Sequence, residues 1–241
     1  IQYHDKLSRL VKEETVYHEG STTKTYKTTH KYDYMGNRTE TKDARAYDES
    51  WTQDYTSLYT YDYAGRLVRE TNVQGKFTET EYDNLGRIKS KSDYKGNDTI
   101  YTYDKLDRLI KVETPFEPGH TSIQKYYYDA NGNKTKEMQQ KNKPGEAQAY
   151  NTTEYGYDVR SRLVKVIQYD IDGTPYYTQY GYDAAGNKTK MFTGLNAEIN
   201  VDTETGPDSD FSVTRYYYNY LKQMVSMTDP KGQTIQYEYD L

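Results

Sequence analysis

The residues of this chain that could do chemistry are histidines and aspartates. His4, His18, His30 and His120 are scattered, without the short spacing that metal sites use. Ten of the 21 aspartates follow a tyrosine, and a carboxylate that returns in copy after copy of a repeat cannot mark one unique acid or base. The sequence therefore predicts no catalytic residue, no cofactor-binding residue, no metal ligand and no enzymatic activity.

Two further acidic stretches could bind a cation. Asp170-Ile171-Asp172-Gly173 resembles the opening of a calcium loop, but the third oxygen ligand and the terminal glutamate are missing, so a turn is predicted. The tract 194–211 contains no basic residue, and its acidic residues are Glu198, Asp202, Glu204, Asp208 and Asp210. We predict a solvated, mobile loop insertion there rather than a cation site or a partner site.

The Tyr-Asp pair repeats along the whole chain. Five copies carry glycine three residues after the aspartate: Tyr32, Asp33 and Gly36; Tyr61, Asp62 and Gly65; Tyr82, Asp83 and Gly86; Tyr128, Asp129 and Gly132; Tyr182, Asp183 and Gly186. The other copies are His4-Asp5, Tyr103-Asp104, Tyr157-Asp158, Tyr218-Asn219 and Tyr239-Asp240. The shortest separation, 21 residues, is taken as the bare unit. Residues 1–241 are thus predicted to be one array of about ten units, cut from a longer array, with a loop insertion at 194–211.

Each unit is predicted to be a β-hairpin. Tyrosines two residues apart, such as Tyr101 and Tyr103, show strand spacing, and the segment after each turn mixes β-branched and charged residues. The aspartate can accept bonds from amides two residues on, and the glycine can supply a positive φ. Turns with Ser8, Ser161 or Lys222 in place of glycine are expected to be distorted. Neighbouring strands are expected to place tyrosine beside tyrosine in a ladder.

The composition predicts a thin, folded, all-β protein. The chain has 31 tyrosines and no cysteine, which excludes disulfides and thiolate sites. No apolar run is long enough to span a bilayer, and the start carries no signal pattern. The 32 basic residues are interleaved with 37 acidic ones, so neither nucleic acid nor membrane is expected as a partner. Consecutive antiparallel hairpins should form one long sheet that curves or spirals as strand twist accumulates.

The segments Tyr61 to Leu67, Tyr82 to Ile88 and Tyr128 to Asn133 resemble the YD repeat of the RHS (rearrangement hot spot) family. The resemblance covers essentially the whole chain. It implies a β-sheet strip spiralling into a hollow shell, as in bacterial polymorphic toxins, insecticidal toxin complexes and teneurin receptors. In the toxins that shell encloses a C-terminal effector. The family's core end segment, with its self-cleaving aspartates, has no match here, and Asp229-Pro230-Lys231-Gly232 is interpreted as a turn.

The resemblance implies a partial RHS shell whose role is to encapsulate or display a C-terminal toxin or effector. Wrapping a domain of roughly 120 residues takes about 58 strands, so about twenty strands would be wall material. The expected partners are the remaining repeats, the effector, and a second copy paired through the exposed edge strands. The Gly132-Asn133-Lys134-Thr135 turn is most similar to secreted or surface RHS proteins of Gram-positive bacteria. A cell-wall or carbohydrate-binding module stays open as the alternative, because tyrosine faces can bind a glycan.

Overall fold

The computed structural model describes residues 1–19, 22–47, 55–117, 119–140, 150–170, 172–206 and 211–240. Their regular structure is nineteen β-strands and one short 3₁₀ turn, Ala44–Tyr47. All nineteen strands belong to one antiparallel sheet, which confirms the predicted all-β array of hairpins. Close contacts divide the chain into two units, Ile1–Thr102 with Val112–Thr121, and Tyr103–Lys111 with Ser122–Leu241.

The first unit contains the strands from β1 to most of β9. Their bounds are β1 Gln2–His4, β2 Leu10–Glu19, β3 Thr22–Tyr32, β4 Arg38–Lys42, β5 Thr56–Tyr61, β6 Leu67–Thr71, β7 Phe77–Tyr82, β8 Ile88–Ser92 and β9 Asp98–Tyr103. Each strand pairs with the next one in the sequence. The Tyr-Asp turns therefore all lie along one edge of this part of the sheet, which we call the Tyr-Asp edge, and the remaining turns lie along the opposite edge.

The second unit repeats the same arrangement. After β10 Leu109–Glu117, which both units share, come β11 His120–Tyr128, β12 Lys134–Gln140, β13 Tyr150–Tyr157, β14 Leu163–Tyr169, β15 Pro175–Tyr182, β16 Lys188–Leu195, β17 Ser212–Tyr218, β18 Met224–Thr228 and β19 Thr234–Gln236. A bulge shifts the register at the tyrosine before most Tyr-Asp turns, as between Gly156 and Tyr157. Such bulges accompany turns that carry a left-handed residue.

The registers of the described strand pairs do not place tyrosine beside tyrosine. Tyr155 lies opposite Val166, and Tyr180 lies opposite Met191. The expected tyrosine ladder is therefore wrong. The prediction fails because the strands that carry the paired tyrosines alternate with strands of other composition. Successive tyrosine-bearing strands therefore lie about 10 Å apart.

The sheet has very little core. Among the described residues, the buried apolar side chains are Tyr55, Phe192 and Ile199, of which Phe192 is 0% exposed. The chain exposes 16525 Å², whereas a globular protein of 28.3 kDa is expected to expose about 11,200 Å². Contacts between neighbouring hairpins, rather than a central core, must therefore hold most of the structure together.

Candidate functional site

The Tyr-Asp turn is a closed hydrogen-bonded loop of five residues, and Asp62 shows its geometry. The Asp62 amide donates to the Arg66 carbonyl at 2.9 Å, and the Gly65 amide donates to the Asp62 carbonyl at 3.0 Å. One carboxylate oxygen, Oδ1, accepts from the Ala64 and Arg66 amides, both at 2.9 Å. Gly65 supplies the left-handed backbone, with φ +76°. Hydrogen bonds from Arg66 hold the pKa of Asp62 below its ordinary value.

The same loop is found throughout the predicted motif. An aspartate Oδ1 accepts the amide four residues on in the turns of Asp33, Asp83, Asp104, Asp129, Asp158 and Asp183. Asn219 replaces the carboxylate with an amide oxygen and makes the equivalent bond at 3.0 Å. Asp240 is the last residue that the structure describes. The motif residues are thus brought together within each turn and are not gathered at one shared centre.

Turns without glycine close in the same way. Ser8, Asp107, Ser161 and Lys222 adopt φ values of 61°, 63°, 59° and 62°. The Ser161 amide donates to Asp158 at 2.9 Å, and the Lys222 amide donates to Asn219 at 3.0 Å. The expected distortion is wrong, because the left-handed region near +57° is open to L-residues at a modest cost.

In the Tyr-Asp turns that begin with aspartate, the fifth residue, which the sequence interpretation missed, clamps the second carboxylate oxygen. Arg66 Nε donates to Asp62 Oδ2 at 2.7 Å, and the Asn133 side-chain amide donates to Asp129 Oδ2 at 2.8 Å. We call this residue the clamp. The clamps that donate to Oδ2 are Arg9, Asn37, Arg66, Arg87, Arg108, Asn133, Arg162 and Asn187.

An arginine clamp also reaches the following hairpin. Arg108 Nη1 donates to the Asp129 carbonyl at 2.9 Å, and its guanidinium carbon lies 4.8 Å from the centre of the Tyr128 ring. The Tyr128 hydroxyl in turn donates to the Leu109 carbonyl at 2.8 Å. Arg162 bonds to the next unit in the same manner, through the Asp183 carbonyl at 3.2 Å and the Tyr182 ring at 4.6 Å.

Where the clamp is asparagine, the next residue supplies the cation. Arg38 lies 5.2 Å from the Tyr59 ring centre, Lys134 lies 5.0 Å from that of Tyr155, and Lys188 lies 4.7 Å from that of Tyr216. In the sequence, the clamp and the residue after it form a dipeptide. This dipeptide is either Arg-Leu or Arg-Ile, or else Asn-Arg or Asn-Lys. That alternation is the signal from which the clamp could have been found.

The acidic insertion is folded onto the second unit. Its residues 196–206, which we call the cap, cover the sheet at Phe192, and Ile199 packs against that ring. The Ile199 amide donates to Gln179 Oε1 at 2.8 Å, and Gln179 Nε2 donates back to the Ile199 carbonyl at 3.2 Å. Gly181 leaves room for the cap, since a Cβ there would lie 2.9 Å from Val201 Cγ1.

Basic residues of the sheet neutralise the cap. Glu204 lies 2.9 Å from Lys190 and 2.6 Å from Arg215, and Glu198 lies 2.6 Å from Lys165. Hydrogen bonding to Lys190 lowers the pKa of Glu204. The predicted solvated, mobile loop is therefore wrong for residues 196–206, because Ile199 packs against Phe192 and because Glu198 and Glu204 are paired with distant strands. Asp208 and Asp210 lie outside the described residues.

The other candidate ligands belong to strands and turns. The Asp170 carboxylate accepts the Asp172 and Thr174 amides at 2.9 and 2.8 Å, and Ile171 lies outside the described residues. His18 and His30 each bond to a threonine across a strand pair. Within the described ranges, no three His, Asp or Glu side chains are grouped as a metal site. In the same ranges, no helix is long and apolar enough to cross a bilayer.

Two open clefts are lined by charged residues that are already paired. A cleft of about 580 Å³ in the first unit is bordered by Asp62 and Arg66, which bind each other, and by Arg69 and Glu79, which lie 3.5 Å apart. A cleft of about 350 Å³ beside the cap is bordered by Lys165 with Glu198 and by Asp158 with Arg162, also ion pairs. Because these side chains are held in ion pairs, a role in positioning the backbone of the turns and strands fits them better than acid-base catalysis.

Comparisons with known proteins agree with the repeat. Residues 82–116 match the family model of the RHS repeat, which confirms the family resemblance over that segment. No curated protein sequence matches the chain. In the crystal structure of TcdB2-TccC3-Cdc42, a match covers 99% of this chain and 13% of that chain, with 16% identity and a TM-score of 0.59.

Two further structures show the same relation. The Tc holotoxin pore of Photorhabdus luminescens matches 99% of this chain with 16% identity and a TM-score of 0.52, over 14% of its own chain. TcdB2-TccC3 without its hypervariable C-terminal region matches 99% with 17% identity and a TM-score of 0.51, also over 14%. At such identities the likeness shows a shared fold, and the present chain spans about one seventh of these proteins.

Proposed function

We propose that this chain is a wall segment of a shell that encapsulates or displays a C-terminal toxin or effector. The proposal rests on the RHS repeat within the chain and on the fold that the chain shares with toxin-complex proteins. The observation that carries the proposal is the link between successive hairpins. Three arginine clamps close their own turn and also bind the carbonyl and the tyrosine of the following turn, namely Arg9, Arg108 and Arg162. Such links extend a sheet indefinitely and leave no unique centre for catalysis.

The thinness of the sheet supports the same role. A shell wall has to cover a large area with few residues. A sheet without a second layer meets this need, and it has little buried core because no other layer packs against it. The remaining repeats of a longer chain and its effector are the proposed partners. We place the parent protein outside the cell or on its surface. We include a Gram-positive source in the proposal, and the Asn-Lys-Thr turns are the only feature that supports it.

Protease protection in the parent polypeptide tests encapsulation. With the repeats folded, the C-terminal region should resist trypsin, and the variant Arg108→Ala/Arg162→Ala should make that region digestible at a lower urea concentration than the wild type. Lys105→Ala, an exposed substitution in the same turn as Arg108, is the matched control. Digestion of the C-terminal region at the rate of the isolated effector, while circular dichroism shows intact strands, would exclude encapsulation and leave display.

Carbohydrate binding by the motif tyrosines has less support. Their hydroxyls donate to main-chain carbonyls, as Tyr82 does to Leu67 and Tyr157 to Lys134, both at 3.0 Å. Cations lie over several of their rings, as Arg66 does over Tyr82 at 4.4 Å. Titration of the chain with soluble peptidoglycan fragments should leave tyrosine fluorescence unchanged, and saturable quenching would favour the glycan-binding alternative.

A further inference from the structure

Large apolar side chains stand at the tips of the Tyr-Asp turns. Of the two residues between aspartate and glycine, the second donates its amide to the aspartate carboxylate, as Met35 and Leu85 do. In the first unit Tyr34 is 93% exposed, Tyr63 is 100% exposed and Leu85 is 69% exposed. We call the exposed tips of this unit the tip row, which consists of Leu7, Tyr34, Met35, Tyr63 and Leu85. The second unit has comparable tips at Leu106, Val159, Tyr220 and Leu221.

The turn itself does not require these residues. The opposite edge of the first unit uses the same loop, in which Asn72 accepts the Gln74 and Lys76 amides and Asp93 accepts those of Lys95 and Asn97. Its outermost tips, Gln74 and Lys95, are polar and exposed.

Apolar side chains in those opposite turns are more covered. Val73 is half-buried and Tyr94 is 40% exposed, and burial raises the pKa of the Tyr94 phenol. Exposed turn positions ordinarily favour Asn, Asp, Gly and Ser. Among the described turns of the first unit, rings that are more than nine-tenths exposed occur on the Tyr-Asp edge alone, and they mark that edge as a contact surface.

The spacing of the tip row identifies what could cover it. Successive Tyr-Asp turns of the first unit are two strands apart, which places the tips about 10 Å from one another. A gap of that size between side chains accommodates one ring or one leucine from a partner. The partner must therefore present apolar groups at the same interval, and the Tyr-Asp edge of a second copy does so. The polar opposite edge does not match it.

We propose that two copies of this chain associate through their tip rows, related by a two-fold axis and with the tips of each row inserted between those of the other. The five side chains of the first unit offer about 700 Å² per copy, so that two rows would bury about 1,400 Å². Specific interfaces bury about 1,200–2,000 Å². The contact is self-complementary, as a two-fold dimer requires. The proposed dimer does not depend on whether the chain encloses a cargo.

Sedimentation equilibrium of the chain over a wide concentration range tests this dimer. The wild type should show a monomer-dimer equilibrium, and Tyr34→Ser/Tyr63→Ser/Leu85→Ser should weaken it at least roughly tenfold. The control Gln74→Ser/Lys95→Ser changes exposed turn tips on the opposite edge and should leave the equilibrium unchanged. All five substitutions are at exposed tips, so both variants should keep the circular dichroism of the wild type.

Three outcomes would overturn the proposal. One is a wild type that stays monomeric at every concentration. Another is a dimer that the triple variant does not weaken, which would indicate pairing through the end strands β1 and β19. The third is tip-dependent binding to phosphatidylcholine vesicles without any dimer, which would make the row a lipid contact. Because the chain has no cysteine, a second measurement is available. Tyr63→Cys should form a disulfide-linked dimer on oxidation faster than Gln74→Cys, and equal rates would contradict the proposed surface.

Discussion

Replacing Arg108 by asparagine removes one link between hairpins while leaving its own turn closed. An asparagine clamp still donates to the turn carboxylate, as Asn133 does to Asp129 at 2.8 Å. The exchange removes the Arg108 bond to the Asp129 carbonyl at 2.9 Å and the guanidinium 4.8 Å from the Tyr128 ring centre. The variant therefore removes the inter-hairpin contact and keeps the turn closed, with a neutral hydrogen bond in place of the Arg108-Asp104 ion pair.

The expected loss in the free energy of unfolding is about 2 kcal/mol. A hydrogen bond from a charged donor contributes about 1.5 kcal/mol, and a half-exposed cation-π contact adds about 0.5 kcal/mol. Equilibrium urea unfolding, followed by far-ultraviolet circular dichroism, measures the loss, and Tm should fall by about 4–8 °C. Lys105→Asn changes an exposed tip of the same turn and should stay within about 0.5 kcal/mol of the wild type.

A second substitution tests the dipeptide rule directly. In the Arg108→Asn background, Leu109→Lys recreates the Asn-Lys dipeptide, whose lysine faces a tyrosine as Lys134 faces Tyr155. It should recover about 0.5–1 kcal/mol there, whereas alone it should destabilise by removing a half-buried leucine beside an existing cation. The coupling energy is then about 1 kcal/mol. An Arg108→Asn variant as stable as the wild type, or a Leu109→Lys effect equal in both backgrounds, would refute the reasoning.

Three further predictions concern the cap. Phe192→Ala should lower the free energy of unfolding by about 3–5 kcal/mol in urea titrations, because its ring is fully buried, whereas the exposed-ring control Phe77→Ala should cost less than half as much. Gly181→Ala should raise hydrogen exchange in the cap, since its Cβ would contact Val201, and adding Val201→Ala should restore protection. The pKa of Glu204 is lowered from 4.5, so its contribution is present above pH 4.5 and is lost as the pH falls through the lower folded pKa. After correction for intrinsic exchange rates, cap amides should therefore exchange faster at acidic pH. Glu204→Gln should abolish this pH dependence of exchange. A pH dependence as strong as that of the wild type would contradict the prediction.

The hairpin repeat could be predicted from the sequence because its determinants are local. The bonds of Asp62 reach only as far as Arg66, so five consecutive residues contain the whole loop. Period-two tyrosines and their return after 21 residues indicate strands and their succession without any knowledge of distant contacts. The clamp is equally local, but an arginine or asparagine at the fifth position does not by itself show that its side chain binds the carboxylate four residues earlier.

The cap could not be predicted in this way, because its partners are distant in sequence. Glu198 pairs with Lys165, 33 residues earlier, and Ile199 bonds to Gln179, 20 residues earlier. A charge count within 194–211 finds only acids, since the compensating cations lie on the strands below. The tyrosine ladder failed for a related reason, since the register sets which side chains meet across strands.

An array with almost no core depends on its neighbour-to-neighbour links, and these links differ in kind along the chain. Arginine clamps such as Arg108 bind the next unit by a hydrogen bond and a cation-π contact. Asparagine clamps leave the contact to the following basic residue, as with Lys188 over Tyr216. The last complete turn has Gln223-Met224 and thus supplies neither cation, although Tyr239 still donates to the Met224 carbonyl at 2.9 Å. Because stability in such arrays is a sum over neighbouring pairs, cooperativity should be weakest where the cation is missing and strongest across consecutive arginine clamps.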